Sequence, residues 1–249
     1  MCSLFTRNVP LADIMDGLYD IHCHLLPGVD DGSPDSEHSH ALLEKMYEMG
    51  VAGAYLTPHI IYGMYGSRNE SDMRAAFAEF DYSGPLSLRL GAEYFLDEGF
   101  PGHISDRPLT MGGNHILAEF ALNAYANRSL DMLFEASLSG YNIIIAHPER
   151  YAFLSGGGGK NLLKELRDKE FGFQLNLLSL TGYHGKGARR LAVKFLTDGL
   201  YTFLGTDTHS SVYLRTIKNA SIPGNLMPAL EKLRENNRTL IWEAGDKPV

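Results

Sequence analysis

Histidine and carboxylate side chains stand at or just beyond the C-terminal ends of the apolar runs in this chain of 249 residues. Seven such runs are predicted to form strands, at residues 18–24, 51–59, 86–93, 115–119, 142–147, 171–176 and 201–209. The candidate ligands at these ends are His22, His24, Asp31, His59, Glu93, Glu119, His147, Asp207 and His209. Imidazoles and carboxylates that meet at one end of a set of strands are typical of a metal site that performs chemistry.

The spacing of these residues favours one shared site. His22 and His24 are two residues apart on a predicted strand, so both imidazoles point to one face while Cys23 points to the other. Asp207 and His209 repeat this spacing at the end of a different strand. A lone His-x-His is a weak signal that chance or core packing also produces. Two such pairs, together with ligands from other strand ends, indicate a metal centre.

The number of candidate ligands predicts more than one ion. A zinc ion takes about four protein ligands, and the candidates exceed the needs of two such sites. We therefore predict two or three divalent transition-metal ions that share a bridging carboxylate. Mixed imidazole and carboxylate ligands suit manganese, with iron and zinc as alternatives. Ions about 4 Å apart can share a hydroxide nucleophile and clamp a phosphoryl group.

Two further residues are candidates for substrate binding. Arg150 lies three residues past His147, and an arginine beside a metal cluster can bind a phosphate through two hydrogen bonds. We predict a catalytic and substrate-binding role for Arg150; the alternative is an ion pair with Glu149 or another carboxylate. His184 lies in a loop beyond the strand predicted at 171–176 and is a second candidate for substrate contact.

Cysteine-based phosphatase chemistry is not supported by the sequence. It requires a thiolate with an arginine six positions further along the chain. Cys2 and Cys23 are followed at that distance by Asn8 and Val29. Cys23 is therefore predicted to be a small buried apolar group.

The composition is that of a globular protein with an ordinary core, since hydrophobic residues make up 44% of the chain and charged residues 21%. The net charge of −8 disfavours nucleic-acid binding. No apolar stretch approaches the roughly 20 residues of a membrane span, so we expect no membrane insertion. The first ten residues lack the pattern of a signal peptide. With only two cysteines, a disulfide framework is not expected, and we predict a cytoplasmic protein.

Helical patterns alternate with the predicted strands, which indicates parallel βα units within one domain. Apolar residues recur at helical spacing near residues 42–49, 73–80, 130–138, 162–166, 191–196 and 226–234. Seven βα units in a chain of this length predict an α/β barrel related to the eight-stranded kind. Active sites of such barrels lie at the C-terminal ends of the strands.

Residues 20–32 read Asp-Ile-His-Cys-His-Leu-Leu-Pro-Gly-Val-Asp-Asp-Gly and resemble the opening motif of the PHP superfamily, named for polymerase and histidinol phosphatase. The segments that follow match the PHP-type protein-tyrosine phosphatases of capsule and exopolysaccharide operons (the CpsB/CapC type) in order: residues 57–59, 91–93, 118–120, 146–150, 174–183 and 205–209. The match covers roughly residues 17–215.

This resemblance implies a distorted seven-stranded (β/α)7 barrel, similar to a TIM barrel, with a trinuclear centre. The whole chain, 1–249, would be a single PHP phosphatase domain, with residues 1–16 as a short N-terminal extension. By analogy, the first ion is held by His22, His24, Glu93 and Asp207. Glu93 bridges to a second ion with Glu119 and His147. The third ion is held by Asp31, His59 and His209.

The resemblance also implies a function. The leading expectation is a metal-dependent phosphatase that acts on phosphotyrosine in the tail of a bacterial tyrosine kinase controlling polysaccharide export. Arginines that some members carry after two of the motifs are not in register here. Arg215 is the loose counterpart of one of them and is a predicted substrate contact. The alternatives are another phosphoesterase, such as histidinol phosphatase, and a non-catalytic metal-stabilised module that docks on the kinase.

Overall fold

Short parallel strands alternate with helices through most of the computed structural model, which describes residues 7–124 and 127–241. Its strands are β1 (Asn8–Pro10), β2 (Tyr19–Cys23), β3 (Gly53–Leu56), β4 (His59–Ile60), β5 (Ser87–Leu90), β6 (Glu93–Phe95), β7 (His115–Glu119), β8 (Asn142–Ala146), β9 (Gly172–Asn176), β10 (Phe203–Gly205) and β11 (Ser221–Pro223). Its α-helices are α1 (Ser36–Glu48), α2 (Glu70–Glu79), α3 (Phe100–Ser105), α4 (Asn127–Leu138), α5 (Gly157–Asp168), α6 (Leu177–Thr181), α7 (Gly185–Thr197), α8 (Ser211–Asn219) and α9 (Met227–Ile241).

Two parallel sheets form the centre of the fold. One has the order β2-β3-β5, and the other has the order β10-β9-β8-β7-β6-β4. Their strands are apolar and buried along most of their length, as in β8, where Ile143, Ile144 and Ile145 are all inaccessible. Parallel strands that are buried on both faces read as such continuous apolar runs. The predicted α/β class, with parallel strands and helices, is confirmed.

Two of the predicted strands are each broken into two. The run at 51–59 becomes β3 and β4, because Pro58 has no N–H to continue a ladder. The run at 86–93 becomes β5 and β6, with Gly91 at the break, where an added Cβ would lie 3.1 Å from Thr57 Cγ2. Each break transfers the chain from the smaller sheet to the larger one. His59 and Glu93 therefore begin new strands, and the prediction that they end strands is wrong.

The breaks bring two ligand candidates side by side. His59 and Glu93 are register partners in the parallel pair β4–β6. The Glu93 N–H donates to the Pro58 carbonyl at 3.0 Å, which fixes this register. A straight continuation of both strands would have kept these two residues in the smaller sheet.

Hydrogen bonds join β2 to the chain that follows β10. The Asp207 N–H donates to the His22 carbonyl at 2.7 Å, and the His24 N–H donates to the Thr208 carbonyl at 3.0 Å. The buried Asn237 of α9 reinforces this junction. Its amide nitrogen donates to the carbonyls of Tyr19 and Leu204 at 2.8 and 2.7 Å, and its oxygen accepts from the Leu204 N–H at 3.1 Å.

The segment expected to be an N-terminal extension packs into the core from Asn8 onward. β1 pairs antiparallel with β11, and a 3-10 helix follows at Leu11–Met15. Leu11, Ile14 and Met15 are fully buried in the same apolar cluster that underlies the parallel strands. Residues 1–6 of the expected extension lie outside the described residues.

The predicted helices are found as α1, α2, α4, α5, α7 and α9, the last extending to Ile241 rather than to residue 234. Asp35 begins α1 as its cap, because its side chain accepts from the His38 N–H at 2.9 Å. Within residues 7–124 and 127–241, no helix has the length and apolar character that crossing a membrane requires.

Candidate metal centre

The candidate ligands from different elements converge on one small volume. Ligand atoms within 4.8 Å of one another form three overlapping groups: His22, His24, Glu93 and Asp207; His24, Asp31, His59 and His209; and His59, Glu93 and Glu119. His147 joins them through its Nε2, which lies 2.9 Å from Glu93 Oε1. The structure thus brings together all nine side chains proposed from the sequence.

Glu93 lies at the centre of the cluster. Its Oε2 is 3.1 Å from His22 Nε2, 3.3 Å from His24 Nε2 and 3.2 Å from His59 Nδ1. Because its Oε1 contacts a fourth imidazole, both oxygens of one carboxylate face candidate ligands from other strands. Glu93 is therefore placed as a bridging ligand would be.

Asp207 completes the innermost group. Its Oδ1 lies 3.5 Å from His22 Nε2 and 3.4 Å from His24 Nε2. Its backbone has φ of +53°, and that of His147 has φ of +31°. Non-glycine residues in this left-handed region cost of order 1–3 kcal/mol and concentrate at functional sites. Here each turn directs a side chain at a strand end into the cluster.

The group around Asp31 forms the mouth of the site. Its Oδ1 lies 3.6 Å from both His59 Nε2 and His209 Nε2, and 54% of its side chain is exposed. His22, His24 and Glu93 are by contrast buried beneath it. The centre is therefore open to solvent on the Asp31 side.

The electrostatics of the cluster suit cations. Glu93 Oε2 and His59 Nδ1 are buried without a hydrogen-bond partner among the described residues. Burial lowers the pKa of His22, but the negative charges of Glu93 and Asp207 outweigh it and raise the pKa to about 9. Burial raises the pKa of Glu93, yet the His22 and His59 charges hold it well below its usual value. Divalent ions can replace these imidazole protons, and the donor set fits borderline metals such as manganese, iron and zinc.

Residues behind the ligands fix their orientation. The ring nitrogens that point away from the cluster are Nδ1 of His22, 3.0 Å from Gln174 Oε1, and Nδ1 of His24, 2.7 Å from Asp30 Oδ2. Asp207 Oδ2 accepts from Asn176 Nδ2 at 2.7 Å. Ligand imidazoles in metal sites generally donate their second N–H to such an acceptor.

Asp30 is a residue that the sequence analysis did not select. Besides His24 it accepts the backbone N–H of His59 at 3.0 Å and that of Gly32 at 3.0 Å, so one carboxylate orders two ligands and their loop. In the sequence, the adjacent pair Asp30-Asp31 was the signal that pointed to Asp30. Which of these two carboxylates turns inward to His24 is visible only in the folded structure.

Arg150 contacts the cluster but does not pair with Glu149. Its Nη1 lies 2.7 Å from Asp207 Oδ2, and 23% of its side chain is exposed. Glu149 is instead buried and accepts from Tyr201 Oη at 2.9 Å and from the Asn176 N–H at 3.0 Å, which is a structural role. Arg150 therefore forms an ion pair with a carboxylate other than Glu149, which was one of the alternatives drawn from the sequence. This ion pair leaves further guanidinium N–H groups of Arg150 for a ligand.

The other two predicted substrate contacts, His184 and Arg215, have different surroundings. His184 is half-buried near the cluster, where burial and the Arg150 charge lower its pKa to about 4, and its Nδ1 lies 3.1 Å from Ser179 Oγ. Arg215 is exposed on α8 and makes no hydrogen bond or ion pair with any described residue. Two residues before it, Tyr213 faces His209, and residues two apart on a helix point in different directions. The role of Arg215 as a substrate contact stays a prediction.

Cys23 is buried on the strand that carries the two histidines, and its Sγ donates to the Tyr55 carbonyl at 3.3 Å. Burial raises the pKa of this thiol well above its usual value. A thiol held in the neutral form is a poor nucleophile. This agrees with its predicted role as a packing residue.

Fold and site together define an α/β protein with a candidate multinuclear metal centre at the ends of parallel strands. Residues 18–218 match the model of the family described as capsular polysaccharide synthesis, CpsB/CapC. The chain belongs to this family, as its motifs had indicated.

Named relatives lie at moderate identity. The tyrosine-protein phosphatase YwqE of Bacillus subtilis is 27% identical over 201 residues, which cover 78% of each chain. The tyrosine-protein phosphatase CpsB of Streptococcus pneumoniae is 26% identical over 204 residues, covering 78% of this chain and 83% of that one.

Solved structures share the fold. A chain from the crystal structures of YwqE from Bacillus subtilis and CpsB from Streptococcus pneumoniae, described as unique metal-dependent tyrosine phosphatases, has a TM-score of 0.74 at 23% identity. The similarity covers 90% of this chain and 94% of that chain. A histidinol phosphate phosphatase from Lactococcus lactis, solved with zinc, L-histidinol and phosphate, has a TM-score of 0.50 at 14% identity, over 91% of this chain and 94% of that one.

Asp30→Asn should weaken metal binding by about 10- to 100-fold, the usual effect of removing a carboxylate behind a ligand imidazole. The amide keeps the shape of the side chain but presents a weaker acceptor to His24. Competition with a fluorescent chelator measures the affinity. Asp35→Asn, at the exposed cap of α1, is the matched control. Equal affinities in wild type and Asp30→Asn would show that Asp30 only orders its loop.

Proposed function

We propose that the protein is a metal-dependent protein-tyrosine phosphatase, a phosphoric monoester hydrolase. The observation that carries this proposal is the buried Glu93 carboxylate surrounded by four imidazoles, with the Arg150 guanidinium beside it. The family and the names of its relatives give the reaction class. Cysteine chemistry has no support, because the one described cysteine is buried and held as a thiol.

In this proposal the ligands are divided among three sites, held by His22, His24, Glu93 and Asp207; by Glu93, Glu119 and His147; and by Asp31, His59 and His209. The groups of neighbouring ligand atoms support this division, although His24 and His59 each contact two groups. Two or three ions would be bound. Manganese is the expected metal, with iron or zinc as alternatives. We also infer that the two parallel sheets are arcs of one seven-stranded barrel, which the hydrogen bonds between β2 and the chain after β10 support.

Bound divalent ions supply Lewis-acid stabilisation of the phosphoryl charge and activation of the attacking water. The protein's own groups do the rest. Arg150 keeps one nitrogen on Asp207 and directs its remaining N–H groups to the phosphate oxygens. His184, neutral near pH 7 because its pKa is lowered to about 4, offers a ring nitrogen as a hydrogen-bond partner. The buried ligands His22, His24 and Glu93 exclude bulk water from the reacting centre.

The substrate we infer is phosphotyrosine in the tail of a bacterial tyrosine kinase that regulates capsular or exopolysaccharide synthesis, in the cytoplasm. The family description supports the link to polysaccharide synthesis. The net charge of −8 supports the absence of nucleic acid as a partner.

A substrate panel tests this function. We expect the manganese-loaded protein to hydrolyse a phosphotyrosyl peptide with a higher kcat/KM than histidinol phosphate, and to lose activity on chelation and regain it on metal addition. Phosphate release gives both rates. A preference for histidinol phosphate would assign the centre to a different phosphoesterase. Fully metal-loaded protein without any phosphatase activity would indicate a docking module.

Arg150→Ala should lower kcat/KM on phosphate esters by roughly 10- to 150-fold, since charge-assisted bonds to phosphate contribute about 1.5–3 kcal/mol. Bound metal should be retained, because Asn176 still holds Asp207. Elemental analysis and steady-state kinetics measure the two effects. Arg215→Ala is the matched comparison. Metal loss in Arg150→Ala would limit Arg150 to holding Asp207, and an equal kinetic loss in Arg215→Ala would restore Arg215 as a phosphate contact.

A further inference from the structure

Three tyrosine side chains surround the mouth of the centre and have no part in the proposed reaction. Tyr65 stacks on His59 with ring centroids 5.9 Å apart and an interplanar angle of 10°. Tyr213 lies against His209 at 5.5 Å, and Tyr183 lies against Tyr213 at 5.2 Å. Tyr65 and Tyr213 are half-buried, and Tyr183 is 47% exposed. We call Tyr65, Tyr183 and Tyr213 the aromatic rim.

The rim comes from three separate parts of the chain. Tyr65 belongs to the loop after β4, whereas Tyr213 is on α8 and Tyr183 precedes α7. His59 and His209, the ligands that Tyr65 and Tyr213 contact, both lie 3.6 Å from Asp31 Oδ1. The rim therefore borders the one group of ligands that is open to solvent.

The loop that carries Tyr65 is held in a strained shape. Tyr65 has φ of +48° and Ser67 has φ of +54°, both in the left-handed region. The loop is anchored at its start, where the Tyr62 N–H donates to Asp97 Oδ2 at 2.8 Å, and at its end, where Arg68 Nη1 donates to the Gly28 carbonyl at 2.6 Å. Strain of this kind persists where the surrounding contacts impose it, commonly at ligand-binding loops. Tyr65 is thus positioned before any ligand arrives.

Exposed apolar side chains concentrate near the rim tyrosines in the sequence. The large hydrophobic residues exposed in the described parts of the chain are Tyr47, Tyr62, Met64, Phe134, Leu138, Tyr183 and Val212. Four of these seven lie in the rim or within three residues of it in the chain. Exposed apolar groups that cluster beside a polar site mark a surface that binds a partner.

A substrate's ester group must leave the cluster on this side. Beneath the mouth the ligands are buried, so a phosphate that reaches them extends its substituent back past His59 and His209. There the substituent meets the aromatic side chains that lie beside the Asp31 carboxylate. Rings offset or edge-on to one another contribute attraction beyond the area they bury.

We propose that the aromatic rim binds the phenyl ring of phosphotyrosine and makes the site selective for aryl over alkyl phosphate esters. This inference rests on the proposed phosphatase function and adds its specificity-determining residues. The ring enters between Tyr65 on one side and Tyr213, backed by Tyr183, on the other. Arg150 and the bound ions take the phosphate, which is common to all esters, and the rim discriminates between the groups that carry it.

The test separates ring recognition from phosphate recognition. Phenyl phosphate and butyl phosphate serve as substrates, and phenylphosphonate and inorganic phosphate serve as inhibitors, on the metal-loaded whole chain. Tyr65→Leu, Tyr213→Leu and Tyr183→Leu remove a ring, whereas the Phe variants at the same positions keep it. Tyr47→Leu, at an exposed position near the C-terminal end of α1, is the matched control, and metal content is measured for every variant.

We expect Tyr65→Leu and Tyr213→Leu each to reduce the preference for phenyl over butyl phosphate by about 2- to 12-fold, the effect of one aromatic pair. The loss should lie mainly in KM. The ratio of the inhibition constants for phenylphosphonate and inorganic phosphate should change by the same factor, because metal loss would affect both inhibitors alike. The Phe variants should retain the preference, and Tyr183→Leu should show a smaller loss.

Two results would overturn the inference. If the Leu variants lose activity on both esters equally, or lose metal, the rim only buttresses His59 and His209. If the preference for phenyl phosphate is unchanged in all three variants, the ring binds elsewhere. Wild-type protein that hydrolyses neither ester when fully loaded with metal would instead refute the proposed function, and the inference with it.

Discussion

The rest of the structure depends on one buried carboxylate. Glu93 is fully buried, and its two oxygens face the imidazoles of His22, His24, His59 and His147. An isolated carboxylate in such a place is strongly unfavourable unless positive charge surrounds it. The imidazoles, which come from three different segments, can neutralise Glu93 only while protonated or while sharing cations with it. The fold therefore assembles a site that positive charge stabilises.

The backbone is shaped around this requirement. Breaks at Pro58 and Gly91 place His59 and Glu93 in register, and left-handed turns at His147 and Asp207 direct two more ligands inward. Each departure from regular strand geometry has a cost, which the buried apolar strands and helices offset. Outside the ligands, Asp30, Gln174 and Asn176 fix the rings and the carboxylate, so the geometry is set before any ligand is bound.

Much of this could be predicted from the sequence, because strand periodicity and residue type are local properties. The paired ligands at positions 22 and 24, the helix near residues 42–49 and the alternation of strands and helices all follow from such patterns. What escaped prediction depends on contacts between distant segments. Asp30 differs from Asp31 only in which side chain turns inward. Arg150 forms its ion pair with Asp207, which lies 57 residues further along the chain. Arg215 is exposed on α8 without an ion pair among the described residues, and Tyr65 adopts a left-handed backbone conformation that its loop imposes.

The central claim is that the cluster around Glu93 holds several ions at once. Crystals of the metal-loaded protein, with diffraction measured at the absorption edge of manganese, test it directly. The account predicts two or three anomalous peaks, each within coordination distance of at least three of the nine proposed ligands, with Glu93 between two of them. A single peak that does not touch Glu93, or no peak in protein that is fully active, would contradict it.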